Sequence, residues 1–348
     1  MAYTDIDKPS DYFNTVLYTG TGSGNQSVTG VGFQPDWVWT KNRVDAYGHN
    51  LYDSVRGVGK YLQSNGTSAE STSATSMVSF DSDGFTVGTG DNVQYSSNNG
   101  VAWNWLASNT TASNTDGTIT STVSANTTAG FSIVSYTGNG TAGATIGHGL
   151  GTTPKVFIIK SRSLVRNWIV YHSSLGETEG IRLNLTNASA SDTGLFNSTA
   201  PNSTVVTLGD YTVLNGSGST YIAYCFAEKK GYSKFGSYTG NGSSDGSYIH
   251  LGFKPSYFLL KSSSNAESWH IYDNQRANAY NPHETYAPTA NASSAEATAS
   301  TYGIDFVSNG VKLRGSGSGI NGSGYSFIYM AFAENPFVTS TGIPCTAR

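Results

Sequence analysis

Two aspartates stand three residues ahead of two arginines in the same chain, as Asp53-Ser54-Val55-Arg56 and Asp273-Asn274-Gln275-Arg276. An acid at that distance from a guanidinium, just after a strand-like run, offers a polar grip on a ligand or a fixed ion pair that braces a loop. Aromatic residues occupy a second recurrent place. Trp168 lies three residues before Tyr171, Trp269 three before Tyr272, and His49 three before Tyr52. A flat ring beside carboxylates and amides is a surface on which a sugar face stacks. Asp53, Arg56, Trp168, Tyr171, Trp269, Tyr272, Asp273 and Arg276 are therefore the candidate ligand contacts. Against each stands a plainer reading, an ion pair in the two charged sets and core packing for the rings.

Other chemistry is harder to place. Asp81-Ser82-Asp83-Gly84 has the acids of half a calcium loop or of a glycoside-cleaving pair, but the further oxygen ligands are missing at the needed spacing, and a tight turn is the expectation. The histidines are His49, His148, His172, His250, His270 and His283, and no two show the spacing of a zinc pair. Lys41, Lys160 and Lys261 each end an apolar run and read as side chains snorkelling at a strand end. No nucleophile elbow, phosphate loop or dinucleotide fingerprint occurs. The expectation is a protein without catalytic residues, metal or cofactor.

Composition narrows the class. Charged residues are 12% of the 348, aromatics also 12%, and the net charge is −4. Clustered cations are absent, which argues against nucleic-acid binding, and no apolar stretch is long enough to span a membrane. The first residues lack the pattern of a secretory signal, so assembly in a cytoplasm is expected. Cys225 and Cys345 make neither a disulfide framework nor a metal site.

What must position the candidate residues is a repeat. Tyr18-Thr19-Gly20 recurs as Tyr136-Thr137-Gly138 and Tyr238-Thr239-Gly240; a proline follows at Pro35, Pro154 and Pro255. Six residues beyond each proline comes Lys41, Lys160 or Lys261, and eleven beyond each lysine Tyr52, Tyr171 or Tyr272. Each copy closes on an aromatic run, at 101–105, 222–226 and 328–332. Copies one and three also share Ser68-Ala69-Glu70 and Ser294-Ala295-Glu296, whereas copy two has His172-Ser173-Ser174-Leu175 in place of the Asp/Arg pair. Six-residue apolar runs after each proline predict strands buried on both faces. Asn-Gly and Asp-Gly pairs at Gly66, Gly84, Gly100, Gly117, Gly216, Gly310 and Gly322 predict tight hairpins with positive φ. The predicted fold class is all-β, three tandem homologous β-sandwich domains of lectin-like or jelly-roll type. The boundaries expected are an arm at 1–12, sandwiches at 13–107, 131–234 and 235–337, a Ser/Thr/Asn-rich linker or tethering arm at 108–130, and a tail at 338–348.

Lys8-Pro9-Ser10-Asp11-Tyr12-Phe13-Asn14, Gly32-Phe33-Gln34-Pro35, Leu51-Tyr52-Asp53-Ser54-Val55-Arg56-Gly57 and Met330-Ala331-Phe332-Ala333-Glu334-Asn335-Pro336-Phe337 resemble a family of tailed-phage virion proteins, notably from marine and cyanobacterial phages. The resemblance implies a non-enzymatic structural protein of the virion, fibre-like or appendage-like, with lectin-like sandwiches. The partners then expected are other virion proteins, a homo-oligomer (a trimer) and host-surface glycan. A capsid-decorating protein is the alternative, and a cell-surface adhesin a further one. Tyr3, Ile6 and Ile343 in the terminal arms are expected to dock on a neighbour.

Overall fold

The computed structural model describes residues 3–90, 93–94, 97–276, 288–297 and 299–345; His283 lies outside them. The chain is all-β, in antiparallel sheets. A main sheet begins with an opening strand (Phe13–Thr19), which pairs with a closing strand (Asn99–Trp105). The closing strand pairs in turn with the strand that follows the proline (Trp37–Asn42, the proline strand), and that with a return strand (Asn50–Asp53). The same order of opening, closing, proline and return strands recurs in Phe131–Thr137, Thr220–Phe226, Val156–Ser161 and Ile169–His172. It recurs again in Ser233–Thr239, Ser326–Pro336, Phe253–Ser262 and Trp269–Asp273. We call the three sets units one, two and three. A smaller sheet faces each main sheet, built from Gln26–Thr29, Gly84–Val87 and Met77–Asp81 in unit one, Ala144–Gly147 and Val205–Leu208 in unit two, and Tyr248–His250, Gly310–Leu313 and Ile304–Val307 in unit three.

The proline strands show why their sequences are apolar throughout. Side chains alternate across a strand, so Val38, Phe157, Ile159, Phe258 and Leu260 pack between the two sheets of their own unit. Trp37, Trp39, Val156, Ile158, Tyr257 and Leu259 point the other way, into one core shared by all three units. Trp37 stacks on Tyr224 of unit two at 4.4 Å, and Trp105 and Phe226 each meet Phe332 of unit three within 6 Å. Each side chain so buried contributes roughly 1.5–3 kcal/mol, and the backs of the main sheets would lose that on separation. Three separate sandwich domains are therefore not what forms. The three sandwiches are fused back to back.

Residues 108–130 form the tethering arm of the two expected alternatives and not a loose linker. Ala112–Asn114 and Ser121–Asn126 extend the main sheet of unit two, through pairing of Ser121–Asn126 with its opening strand. Ile119 and Val123 anchor this stretch in the unit's own core. The terminal arms also fold back on the body. Ile6 is buried in the shared core, the Asp5 amide donates to the Lys230 carbonyl at 3.0 Å, and the Ser340 amide donates to the Asp7 carboxylate at 2.6 Å. Ile6 is thus unavailable for docking, while Tyr3 and Ile343 remain exposed.

Of the seven glycines named above, only Gly84 has a positive φ, +144°, although Gly140 and Gly242, in two further Asn-Gly pairs, have φ +72° and +69°. Close approach explains several others. A Cβ on Gly310 would lie 2.2 Å from the Ile249 carbonyl oxygen, as one on Gly84 would lie 2.0 Å from that of Val28. Neighbouring backbone, more than turn geometry, excludes a side chain there.

Candidate functional site

All eight candidate ligand contacts are interior, none more than 5% exposed. They are not a surface grip; six of them line the seams between units, where each group is already partnered. Asp53 ends the return strand of unit one. Its carboxylate accepts from Arg56 Nε and, at 2.8 Å, from the Arg56 backbone N–H. Tyr224, on the closing strand of unit two, donates its hydroxyl proton to Asp53 Oδ2 at 2.7 Å. Arg56 Nη1 continues to Glu70 at 3.4 Å, and Glu70 is held bidentately by Arg162 of unit two at 2.9 and 3.0 Å. Glu70 is accordingly held below the usual carboxylate range by Arg162 and Arg56, against the opposing effect of burial.

The same construction joins unit three to unit one. Arg276 Nε lies 2.5 Å from Asp273 Oδ2, and Trp103 Nε1 of unit one donates to that oxygen at 2.9 Å. Glu296 accepts from Arg276 and from Arg43 of unit one, each at 2.9 Å. The Arg276 guanidinium also sits 5.4 Å from the Trp103 ring centre, a cation–π distance.

At the remaining seam both partners have changed together. His172 stands where Asp53 and Asp273 stand, and Met330 where Tyr224 and Trp103 stand, by strand register. With no donor on Met330, a carboxylate would be buried unpaired, which is costly. His172 instead contacts the Tyr329 carbonyl through Nε2 at 3.1 Å and is kept uncharged, its pKa pushed down to about 4 by burial. Ser189 and Ser263 take the places of the acid and the arginine. The Ser189 amide donates to the Ser263 carbonyl at 2.9 Å, as the Glu70 amide does to Arg162 and the Glu296 amide to Arg43. A unit's return-strand side thus always meets the next unit's closing strand, and unit three's meets unit one. The ring is closed.

Trp168 and Trp269 serve the same seams. Trp168 Nε1 donates to the Gln63 carbonyl of unit one at 2.8 Å, and Trp269 Nε1 to the Arg182 carbonyl of unit two at 2.9 Å. Tyr171 and Tyr272 face inward to their own units, Tyr171 stacked on Phe157 at 4.6 Å and Tyr272 donating to the Tyr302 carbonyl at 2.8 Å. One family model matches residues 8–336, a span that takes in all three units at once. The chain belongs to the DUF7483 family, described as a domain of unknown function. No curated protein matches it. That the family's unit spans residues 8–336 agrees with a shared core that no single repeat could close.

In this DUF7483 chain the recurrent lysines do not snorkel. Lys41, Lys160 and Lys261 are buried, and each ammonium donates to backbone carbonyls: Lys41 to Asn42 and Asp45, Lys160 to Thr67 and Ser161, Lys261 to Ser262 and Asn265. Burial lowers all three pKa values to about 8. They brace the loop after each proline strand. Asp83 likewise closes a turn, accepting from the Gly30 and Gly32 amides at 3.1 and 2.7 Å. Among the described residues no group of three or more His, Cys, Asp or Glu is placed to hold a metal.

The surface concavities of this chain include two at unit three. One, about 560 Å³, lies where the terminal arms converge on unit three and carries Tyr3, Asp5, Glu228, Lys234, His250 and Phe337. The other, about 290 Å³, lies in unit three beside His270 and Tyr302. Sequence reasoning singled out neither, although it named His250 and His270. It also left Glu70, Glu296, Arg43 and Arg162 without a role.

Proposed function

We propose that this DUF7483 protein is a non-enzymatic structural component of a phage virion, of tail-fibre or appendage type, that presents its sandwiches outward to recognise host-surface glycan. One observation carries the reading: the residues with chemical potential are spent on closing three like units into a ring, which supports a role as a displayed body over one as a reaction vessel. The resemblance of 8–14, 51–57 and 330–337 to virion proteins points the same way. Three similar outward faces on one chain supply repeated weak contacts, and a trimer of chains alongside other virion proteins would multiply them. Such a protein would be assembled in the host cytoplasm and carried on the particle. Glycan-array binding by the intact protein tests the reading, with silence across host polysaccharides counting against it.

Closure about an internal three-fold also suits a capsid-decorating protein seated on a symmetry axis of the shell. Copy number per particle separates the two. A handful to a few dozen chains means an appendage; hundreds mean decoration.

A further inference from the structure

We propose that unit three carries a binding site for a single neutral sugar ring in the cavity between His270 and Tyr302. This deepens the glycan reading above and rests on it for the choice of ligand class. His270 lies on the return strand between Trp269 and Ile271, which enter the shared core. It therefore faces the opposite side of the sheet, where its ring stacks on Tyr302 with centres 4.9 Å apart. Gly319, in the short helix Ser318–Asn321, backs both rings. A Cβ there would lie 2.6 Å from His270 Nε2 and 3.0 Å from Tyr302 Cε1, so the rings hold their places only against a hydrogen.

The cavity is about 290 Å³, at the low end of the ~300–1,000 Å³ typical of small-molecule pockets, which suits one ring better than a chain of them. Its walls are Ser268, Thr289 and Ser294, three alanines, and the two rings. Among the described lining residues there is no carboxylate or cationic side chain; Glu267 Oε2 stands behind the rings, 3.3 Å from the same Gly319 Cβ position, and disfavours an anionic ligand. His270 is 6% exposed and its Nδ1 has no hydrogen-bond partner. Burial, with Lys261 nearby, pushes its pKa down to about 4, so the imidazole is neutral and offers one donor and one acceptor. Nδ1 itself is closed off from solvent, so recognition falls to the lining: sugar hydroxyls match Ser268, Thr289 and Ser294, and the C–H face of the ring matches Tyr302 and the alanines. The corresponding return-strand residue is Asn50 in unit one and Ile169 in unit two, so this imidazole is particular to unit three.

The test uses the whole protein and the free sugars glucose, galactose, mannose, rhamnose and N-acetylglucosamine. The His270 ring-nitrogen NMR signals are followed up to about 10 mM sugar, tenfold above a 1 mM dissociation constant. The expected result is a saturating shift with at least one sugar, weakened at least about tenfold by Ala297→Trp, which fills the cavity mouth, and by Tyr302→Ala. Ala297 is exposed, so its variant is expected to keep the fold, and an unchanged melting curve is the check. Array binding that survives both variants overturns this site and leaves the attachment reading standing. A His270 shift with a free sugar but no array binding supports the site and counts against attachment. No His270 shift with any of the five sugars overturns the site.

Discussion

The Tyr224 hydroxyl of unit two donates to the Asp53 carboxylate of unit one at 2.7 Å, in a site from which water is excluded. This bond and its counterpart from Trp103 to Asp273 show how the seams are specified. A buried carboxylate shared between its own arginine and a neighbour's donor accepts no other partner without loss. Tyr224→Phe leaves Asp53 short of one bond and is expected to cost about 1–3 kcal/mol. Asp53→Ala strands Arg56 and is expected to cost more, about 3–5 kcal/mol. Urea midpoints of the two variants, at unchanged slope, measure both.

Ser189 and Ser263 occupy the seam that lacks an ion pair. Ser189→Glu with Ser263→Arg recreates the arrangement of Glu70 with Arg162. A double-mutant cycle should show favourable coupling of about 0.5–3 kcal/mol. Additive single effects would mean that the third seam is not built like the other two.

Acid should weaken the fold through its neutral histidines. His172 and His270 have pKa values lowered to about 4 by burial, against about 6.5 in the unfolded chain. As pH falls from 6.5 to 4 the unfolded chain takes up protons that the folded one refuses. Stability is therefore full above about pH 6.5 and is lost toward pH 4, by up to about 1.4 kcal/mol per pH unit for each ring. Denaturant titrations at stepped pH measure the slope, and His172→Gln should reduce it.

The lysines act with the same sign at the other end of the scale. Lys41, Lys160 and Lys261 titrate near pH 8 when folded and near 10.4 when unfolded. Between those values the unfolded chain holds more protons, so stability is expected to rise with pH from about 8 to 9. Higher still, Cys225 and the buried tyrosines, all raised by burial, reverse the trend. Lys261→Met should flatten the rise.

The thiols differ in accessibility. Cys345 is exposed, whereas Cys225 is buried and its pKa is pushed up to about 12. A thiol reagent should titrate Cys345 at once and Cys225 only after unfolding. Rapid reaction of both in the native protein would contradict the burial of the unit-two closing strand.

Much of the fold was legible because period and punctuation survive drift. The proline, lysine and tyrosine ladder put equivalent strands in register, and the continuous apolar runs announced burial on both faces. What lay on the second face was not legible, since an apolar face looks the same whether a helix, a loop or another sheet covers it. The aromatics at Trp168 and Trp269 were open to a ligand reading for that reason. The seams had left a trace. The acids Glu70 and Glu296 belong to units one and three, while Arg43 and Arg162 belong to units one and two. That one-step offset is what a cyclic pairing requires, and it becomes readable once each acid is matched to the following copy. The cavity at His270 left no comparable trace, because His270, Ala297 and Tyr302 lie outside the repeated landmarks, although Ser294 matches Ser68 of unit one.

Arg43 and Glu296 are 253 positions apart, yet they meet at 2.9 Å. On the ribosome, the first sheet would emerge complete with Trp39 and Trp103 uncovered and would have to wait until nearly the entire polypeptide had been made. Contacts of such long sequence separation slow folding. A nascent chain halted before the last third would carry that greasy flank uncovered, the kind of surface that chaperones hold.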